Sequence, residues 1–260
     1  MNIELIDLTI IGPAFLAGLL ILSTHIPLGQ EVLNRGIIFI DLAVAQVAGL
    51  GVIVAATFDW DFYGVATQIS AVSAALLATL LLHWIERKFP DVQEAMIGVM
   101  FVLAASASIL VLAENPHGGE HLKDLLVGQI LWVTLDMLWP IAIVYAVVLM
   151  VWFKPGEIGR FTFYMVFAVT ITASVQLVGV YLVFASLIIP AIASRKLSGM
   201  PRLATSYALG AIAYGSGLLL SAIFDFPPGA IIVWCLFACG LITSQIISWR
   251  FSDVLPTPSH

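Results

Sequence analysis

Apolar residues run almost unbroken over 8–28, 37–57, 63–85, 95–113, 130–153, 161–178, 180–194, 203–223 and 229–249, with short polar breaks between. Such runs predict membrane-spanning helices, because about 20 apolar residues cover a hydrocarbon core of about 30 Å. The stretch 161–194 needs separate treatment. As one straight helix it would be about 50 Å long at roughly 1.5 Å per residue, so it either tilts steeply or folds back, and Gly179 lies near its middle.

Charge decides between these. Arg160 precedes the stretch, and Arg195 and Lys196 follow it. Cytoplasmic loops carry the excess of Lys and Arg, which puts both ends inside and makes the stretch cross twice. Nine crossings result. With the N-terminus outside, Arg35, Arg87, Lys88, Lys154, Arg160, Arg195, Lys196, Arg202 and Arg250 all fall inside, nine of the ten basic residues, and only Lys123 falls outside. Glu4, Asp7, Asp59, Asp61, Glu114, Glu120 and Asp225 line the outer loops. The expected fold class is an all-α polytopic membrane protein with about eight to nine transmembrane helices, a single domain over 1–260, and a cytoplasmic C-terminus. The first seven residues hold no Lys or Arg, unlike the start of a cleavable signal peptide.

Composition agrees: 61% hydrophobic and 10% charged residues leave too little polar surface to coat a soluble domain. Ten Lys+Arg in a chain of net charge −6 form no concentrated basic face, so no nucleic-acid partner is expected. Cys235 and Cys239, four apart in one apolar run, read as packing residues. Small residues recur through 43–56, 70–79, 104–108 and 204–217, as required where helices approach closely in lipid. Trp60, Trp84, Trp132, Trp139, Trp152 and Trp249 lie near predicted ends, where amphipathic rings favour the interface.

Few residues in the spans can carry chemistry, and ionisable groups there default to functional hypotheses. Asp41 is the clearest. It either caps a helix or pairs with Arg35 near the inner interface, or it lines a polar path for a cation. Gln46, five positions on, points about 140° away in a straight helix and suits an interhelical hydrogen bond better than a ligand role. His25, two residues before Pro27, either satisfies a neighbouring carbonyl or serves as a metal ligand or proton acceptor. The outer segment Glu114-Asn115-Pro116-His117-Gly118-Gly119-Glu120-His121 is the densest set of metal-binding groups. His117, His121 and Glu120 suit zinc, or manganese if oxygen dominates, in a transient capture site or a plain polar loop; the glycine pair argues against a confident helix. Pro190 to Arg202, with Arg195 and Lys196, forms an inner segment that either anchors by charge alone or docks a cytoplasmic partner. No G-x-x-x-x-G-K-[ST], H-E-x-x-H or G-x-S-x-G motif occurs, so neither nucleotide hydrolysis nor hydrolytic catalysis is expected of this chain.

An ordered set of stretches resembles one family, the permease subunits of ABC importers for zinc, manganese and iron(II), the metal ABC-3 class. These are Pro27-Leu28-Gly29; Arg35 spaced before Asp41; Ala48-Gly49-Leu50-Gly51; Ile97-Gly98; Leu126-Val127-Gly128-Gln129-Ile130-Leu131; Gln176-Leu177-Val178-Gly179-Val180-Tyr181-Leu182-Val183; and Leu187-Ile188-Ile189-Pro190-Ala191-Ile192-Ala193. The resemblance covers nearly the whole chain. It implies a permease in the bacterial cytoplasmic (inner) membrane that holds no resident cofactor and moves a divalent metal: zinc, manganese or iron(II). The implied partners are a second permease copy in a homodimer, a cytoplasmic ATPase subunit on the loop after Pro190, and an extracytoplasmic metal-binding protein. It also implies that Asp41 lies on the metal path. One departure matters: the family places a histidine four residues after this aspartate, and here position 45 is Ala. The outer histidines favour zinc as cargo. Two other readings are a permease for a metal chelate such as a siderophore or haem, and a secondary transporter in which Asp41 and His25 couple to an ion gradient.

Overall fold

The computed structural model describes residues 8–58, 60, 64–113, 118–156 and 158–252. Nine α-helices are found among them: α1 (Leu8–Arg35), α2 (Ile40–Ala56), α3 (Val65–Lys88), α4 (Gln93–Leu112), α5 (Gly118–Val127), α6 (Leu135–Trp152), α7 (Arg160–Ala193), α8 (Gly199–Phe224) and α9 (Pro228–Ser252). The described residues form no strand. Seven helices, α1, α3, α4, α6, α7, α8 and α9, are long and apolar enough to cross a membrane, and α2 is a shorter apolar helix.

α7 is two helices joined at Gly179, whose φ of 78° and ψ of 164° leave the helical region. Its neighbours show that the chain reverses there. Phe163 lies under the Arg35 guanidinium at 4.3 Å, and Phe184 stacks on Phe39 with centroids 6.2 Å apart. Between these points, the Gln68 amide donates to Gln176 near the opposite end of α3. A straight α7 would hold positions 163 and 184 about 30 Å apart, yet both lie at the end of the bundle where α1 stops and α2 starts. The limbs 160–178 and 180–193 therefore run antiparallel, and the chain makes nine passes, as the charge argument required.

All but one of the basic residues whose side chains are described gather at that same end. Arg160 reaches Glu86 on α3 at 3.6 Å, Arg35 pairs with Glu31 at 2.7 Å, and Lys196 donates to Ser248 on α9 at 2.8 Å. Arg87 and Lys88 end α3, and Lys154 follows α6, whose last residue Trp152 packs on Phe163; Lys123, exposed on α5, is the exception.

Close backbone approach holds the bundle, since lipid offers no hydrophobic force between helices. A β-carbon at Gly51 of α2 would sit 2.9 Å from Ala71 Cα of α3, and Ser70 Oγ donates to the Gly51 carbonyl at 2.8 Å. Another close crossing joins the end of α5 to the apex of α7. Gly128 and Gly179 both have positive φ, 71° and 78°, and each sits against the other's main chain where a β-carbon would collide. Leu126-Val127-Gly128 thus meets Leu177-Val178-Gly179 backbone to backbone, and Gly229 at the start of α9 closes on the Val127 carbonyl.

Several boundaries differ from the apolar runs. α1 continues to Arg35 and α8 begins at Gly199, because helices extend past the hydrocarbon with polar turns that hydropathy cannot register. α5 corrects the loop reading over 118–121: despite its two glycines this stretch opens a helix, which packs Leu125 with Ile53 and Leu112 at the end opposite the basic residues.

Candidate functional site

Asp41 is the second residue of α2 and is 1% exposed. No side chain bonds either carboxylate oxygen; the main-chain N–H groups of Leu42 and of Asp41 itself lie against the carboxylate at the helix start. Pairing with Arg35 does not occur, because Arg35 is engaged by Glu31 and by the Phe163 ring. Burying an acid this fully inside an apolar bundle is costly.

His25 is fully buried in α1 and does not join Asp41. Its Nδ1 lies 3.4 Å from Thr24 Oγ1, and Nε2 has no partner. It sits about 15 Å along α1 from Arg35, deeper in the bundle than the start of α2. The ribbon beside it is polar: Tyr145 Oη and Ser174 Oγ are 2.5 Å apart, and Tyr214 Oη and Ser186 Oγ are 2.8 Å apart. One pair ties α6 to the 160–178 limb, the other ties α8 to the 180–193 limb.

Gln46 faces elsewhere, as its 140° offset required. It lines a cavity of about 660 Å³ between α2, α4, α5, the 180–193 limb and α9, together with Tyr181, Phe184, Phe101 and Trp234. That position replaces the expected interhelical bond. Asp41 is not among the lining residues.

Of the outer metal-binding group, Glu114 and His117 lie outside the described residues. Glu120 and His121 belong to α5, but their side chains are not among those described. Among the described residues, no three His, Cys, Asp or Glu side chains gather as a metal site.

The inner segment is shorter than the sequence indicated. Pro190 is buried inside α7, where its carbonyl accepts from Ser194 Oγ at 2.8 Å, and Arg202 belongs to α8 and is half-buried. A proline tolerated there, late in a packed helix, removes it from any docking surface. What faces outward is Arg195, Lys196, Ser198 and the first turn of α8, with Met200 75% exposed. This turn is wired to the bundle by Ser194 to Ser206 at 2.8 Å and by Gln30 to Ser206 at 3.5 Å.

Sequence reasoning missed Glu94, in the first turn of α4. Its Oε1 accepts from the Phe39 N–H at 3.3 Å, which places it over the start of α2. No sequence spacing relates positions 41 and 94; only the packing of α2 on α4 brings them together.

A family model described as the ABC 3 transport family matches residues 7–154 and 155–247. The chain is 23% identical to the high-affinity zinc uptake system membrane protein ZnuB of Haemophilus influenzae, over 91% of this chain and 98% of that protein. It is 24% identical to the manganese transport system membrane protein MntC of Halalkalibacterium halodurans, over 79% of this chain and 76% of that one. The solved structure of PsaBC from Streptococcus pneumoniae in complex with Fab superposes with a TM-score of 0.76 at 19% identity, covering 96% of this chain and 100% of the other. At that identity the likeness is one of fold.

Proposed function

Because this chain belongs to the ABC 3 transport family, we propose that it is the membrane-spanning permease subunit of an importer for a divalent transition metal. Hydrolysis of ATP on a separate cytoplasmic subunit drives it between outward- and inward-open states. The observation that carries this reading is Asp41: a fully buried acid with no side-chain partner on either oxygen, inside a bundle of this family. A bare divalent ion cannot cross hydrocarbon, so a path must supply ligands, and Asp41 is a buried carboxyl group available to do so.

The basic end faces the cytoplasm of a bacterial inner membrane, following the positive-inside bias, which puts the C-terminus inside and the N-terminus outside. The ATPase docks on Arg195, Lys196 and Met200. Movement of that turn passes through Ser194, Ser206 and Gln30 to α1 and to the 180–193 limb. A second copy pairs on the face that opens into the Gln46–Tyr181 cavity, and an extracytoplasmic binding protein delivers metal at the α5 end. The leaning toward zinc rests on His117 and His121 as a capture loop. Metal is cargo here, with no resident cofactor.

The test is ATP-dependent metal uptake in proteoliposomes holding the permease, its ATPase and a metal-loaded binding protein. Asp41→Ala assembles normally and loses uptake. Normal uptake by that variant removes Asp41 from the mechanism, and uptake by the permease alone, without an ATPase, refutes the importer reading in favour of a secondary transporter.

A further inference from the structure

Pro27 interrupts α1 from within. Proline carries no N–H, and its ring pushes aside the carbonyl four residues earlier, so the Ser23 carbonyl loses its helical donor. Tyr207 Oη of α8 takes the place of that donor, at 3.0 Å. Ser23 lies about 18 Å along α1 from Arg35, at a depth where lipid offers no hydrogen bond in exchange. The bond belongs to this proline, because any other residue at position 27 would satisfy the same carbonyl within α1.

The residue beside Tyr207 takes hold of α1 on the far side of the proline. Gln30 Nε2 donates to Ser206 Oγ at 3.5 Å, and Ser206 is itself anchored, donating to the Arg202 carbonyl at 2.9 Å. Before the proline, α8 closes on α1 again, since a β-carbon at Gly210 would fall 2.6 Å from Leu22 Cδ2. After it, α1 meets the 180–193 limb, where a β-carbon at Gly29 would collide with the Leu187 carbonyl. Sharp helix bends occur at proline, and here both sides of the bend are held from outside α1. Ser206 and Tyr207 stand about two turns along α8 from the exposed turn at its start. The inner end of α1 leads in turn to α2 through four residues, 36–39.

We infer that Tyr207 is a positioning residue of the transport cycle: with Ser206 it grips α1 on either side of Pro27 and fixes the bend through which the docking turn moves the inner end of α1 and the start of α2. This rests on the importer reading and deepens it, by assigning the step between the ATPase-docking turn and the bundle. Apolar contact is non-directional and would hold the two helices together without setting this angle; a hydrogen bond to the carbonyl that the proline frees sets it.

The first measurement is a melting cycle on the detergent-solubilised full-length chain, followed by fluorescence-detected size exclusion. Tyr207→Phe strands the Ser23 carbonyl and lowers the midpoint by about 2–12 °C. Pro27→Ala returns an N–H to α1, so Tyr207→Phe made in that background lowers the midpoint by less than about one third as much. Equal losses in the two backgrounds, or no loss in the wild-type background, overturn the clamp. The second measurement uses proteoliposomes holding the permease, its ATPase and a binding protein loaded with Mn2+ or, in a parallel series, Zn2+. Tyr207→Phe lowers the metal moved per ATP hydrolysed at least about fivefold, with the ATPase recovered in full. Tyr214→Phe, whose hydroxyl bonds Ser186 and not α1, loses comparable stability and keeps the wild-type ratio. A wild-type ratio in Tyr207→Phe, or the same fall in Tyr214→Phe, makes Tyr207 a packing residue and overturns the positioning role. Absence of ATP-dependent uptake by the wild-type complex overturns the importer reading and the role in transport with it, while the melting cycle still decides whether α8 clamps the bend.

Discussion

Replacing Gly179 by alanine tests the reversal of α7 directly. At φ 78° and ψ 164° an L-residue occupies a region essentially reserved for glycine, at a cost of roughly 1–3 kcal/mol. The new methyl would also fall against the main chain of Val127 and Gly128, with the Leu126 carbonyl oxygen 2.8 Å away. Backbone cannot rotate aside as a side chain can, so this overpacking adds about 1–3 kcal/mol. The total of about 2–6 kcal/mol, at roughly 2–4 °C per kcal/mol for a chain of this size, lowers the melting temperature by about 4–24 °C. Gly36→Ala is the control: its φ is 71° with no atom within 4 Å of the added carbon, so it carries the conformational strain alone, about 1–2 kcal/mol. Fluorescence-detected size exclusion of the detergent-solubilised chain after stepwise heating measures both. Gly179→Ala melts well below Gly36→Ala. A Gly179→Ala curve that overlays the wild type, or matches Gly36→Ala, refutes a backbone-on-backbone apex.

Two further outcomes follow from contacts away from that apex. Tyr214→Phe removes the hydroxyl that meets Ser186 Oγ at 2.8 Å in the closed core, and it destabilises the chain by about 1–2 kcal/mol in the same heating assay; an unchanged midpoint means that the pair contributes nothing to holding the 180–193 limb. Met200→Asp, at a side chain 75% exposed, leaves the melting temperature within the range of surface substitutions and reduces the ATPase subunit recovered with the affinity-tagged permease. Full recovery would move the docking surface off the start of α8.

The passes of this bundle are legible in the sequence because length and charge act together. Neither alone resolves 161–194: hydropathy reads one long run, and Arg160 with Arg195 and Lys196 requires an even number of crossings within it. Helix ends are less legible, since polar turns such as Glu31 to Arg35 continue α1 beyond its apolar run. α5 left a weak trace in Leu122, Leu125 and Leu126, whose spacing puts them on one helical face, but Gly118 and Gly119 hid it. The site was half visible. Asp41 stands out as an acid inside an apolar run, whereas Glu94 sits among Asp91, Gln93 and the polar turn after Lys88, where it looks like any solvated acid. Its place beside the start of α2 is created by the packing of α4 on α2, a tertiary event that leaves no spacing to read.

The seam between α5 and the tip of α7 is made of main chain on both sides, with Gly128, Gly179 and Gly229 in place of interleaved side chains. Knobs locked into holes must unlock one rotamer after another before two elements can slip, but two bare ribbons can shear with every neighbouring side chain left in its well. What resists a slide of α5 along the hairpin bend is therefore the fit of two backbones, not the locking of rotamers.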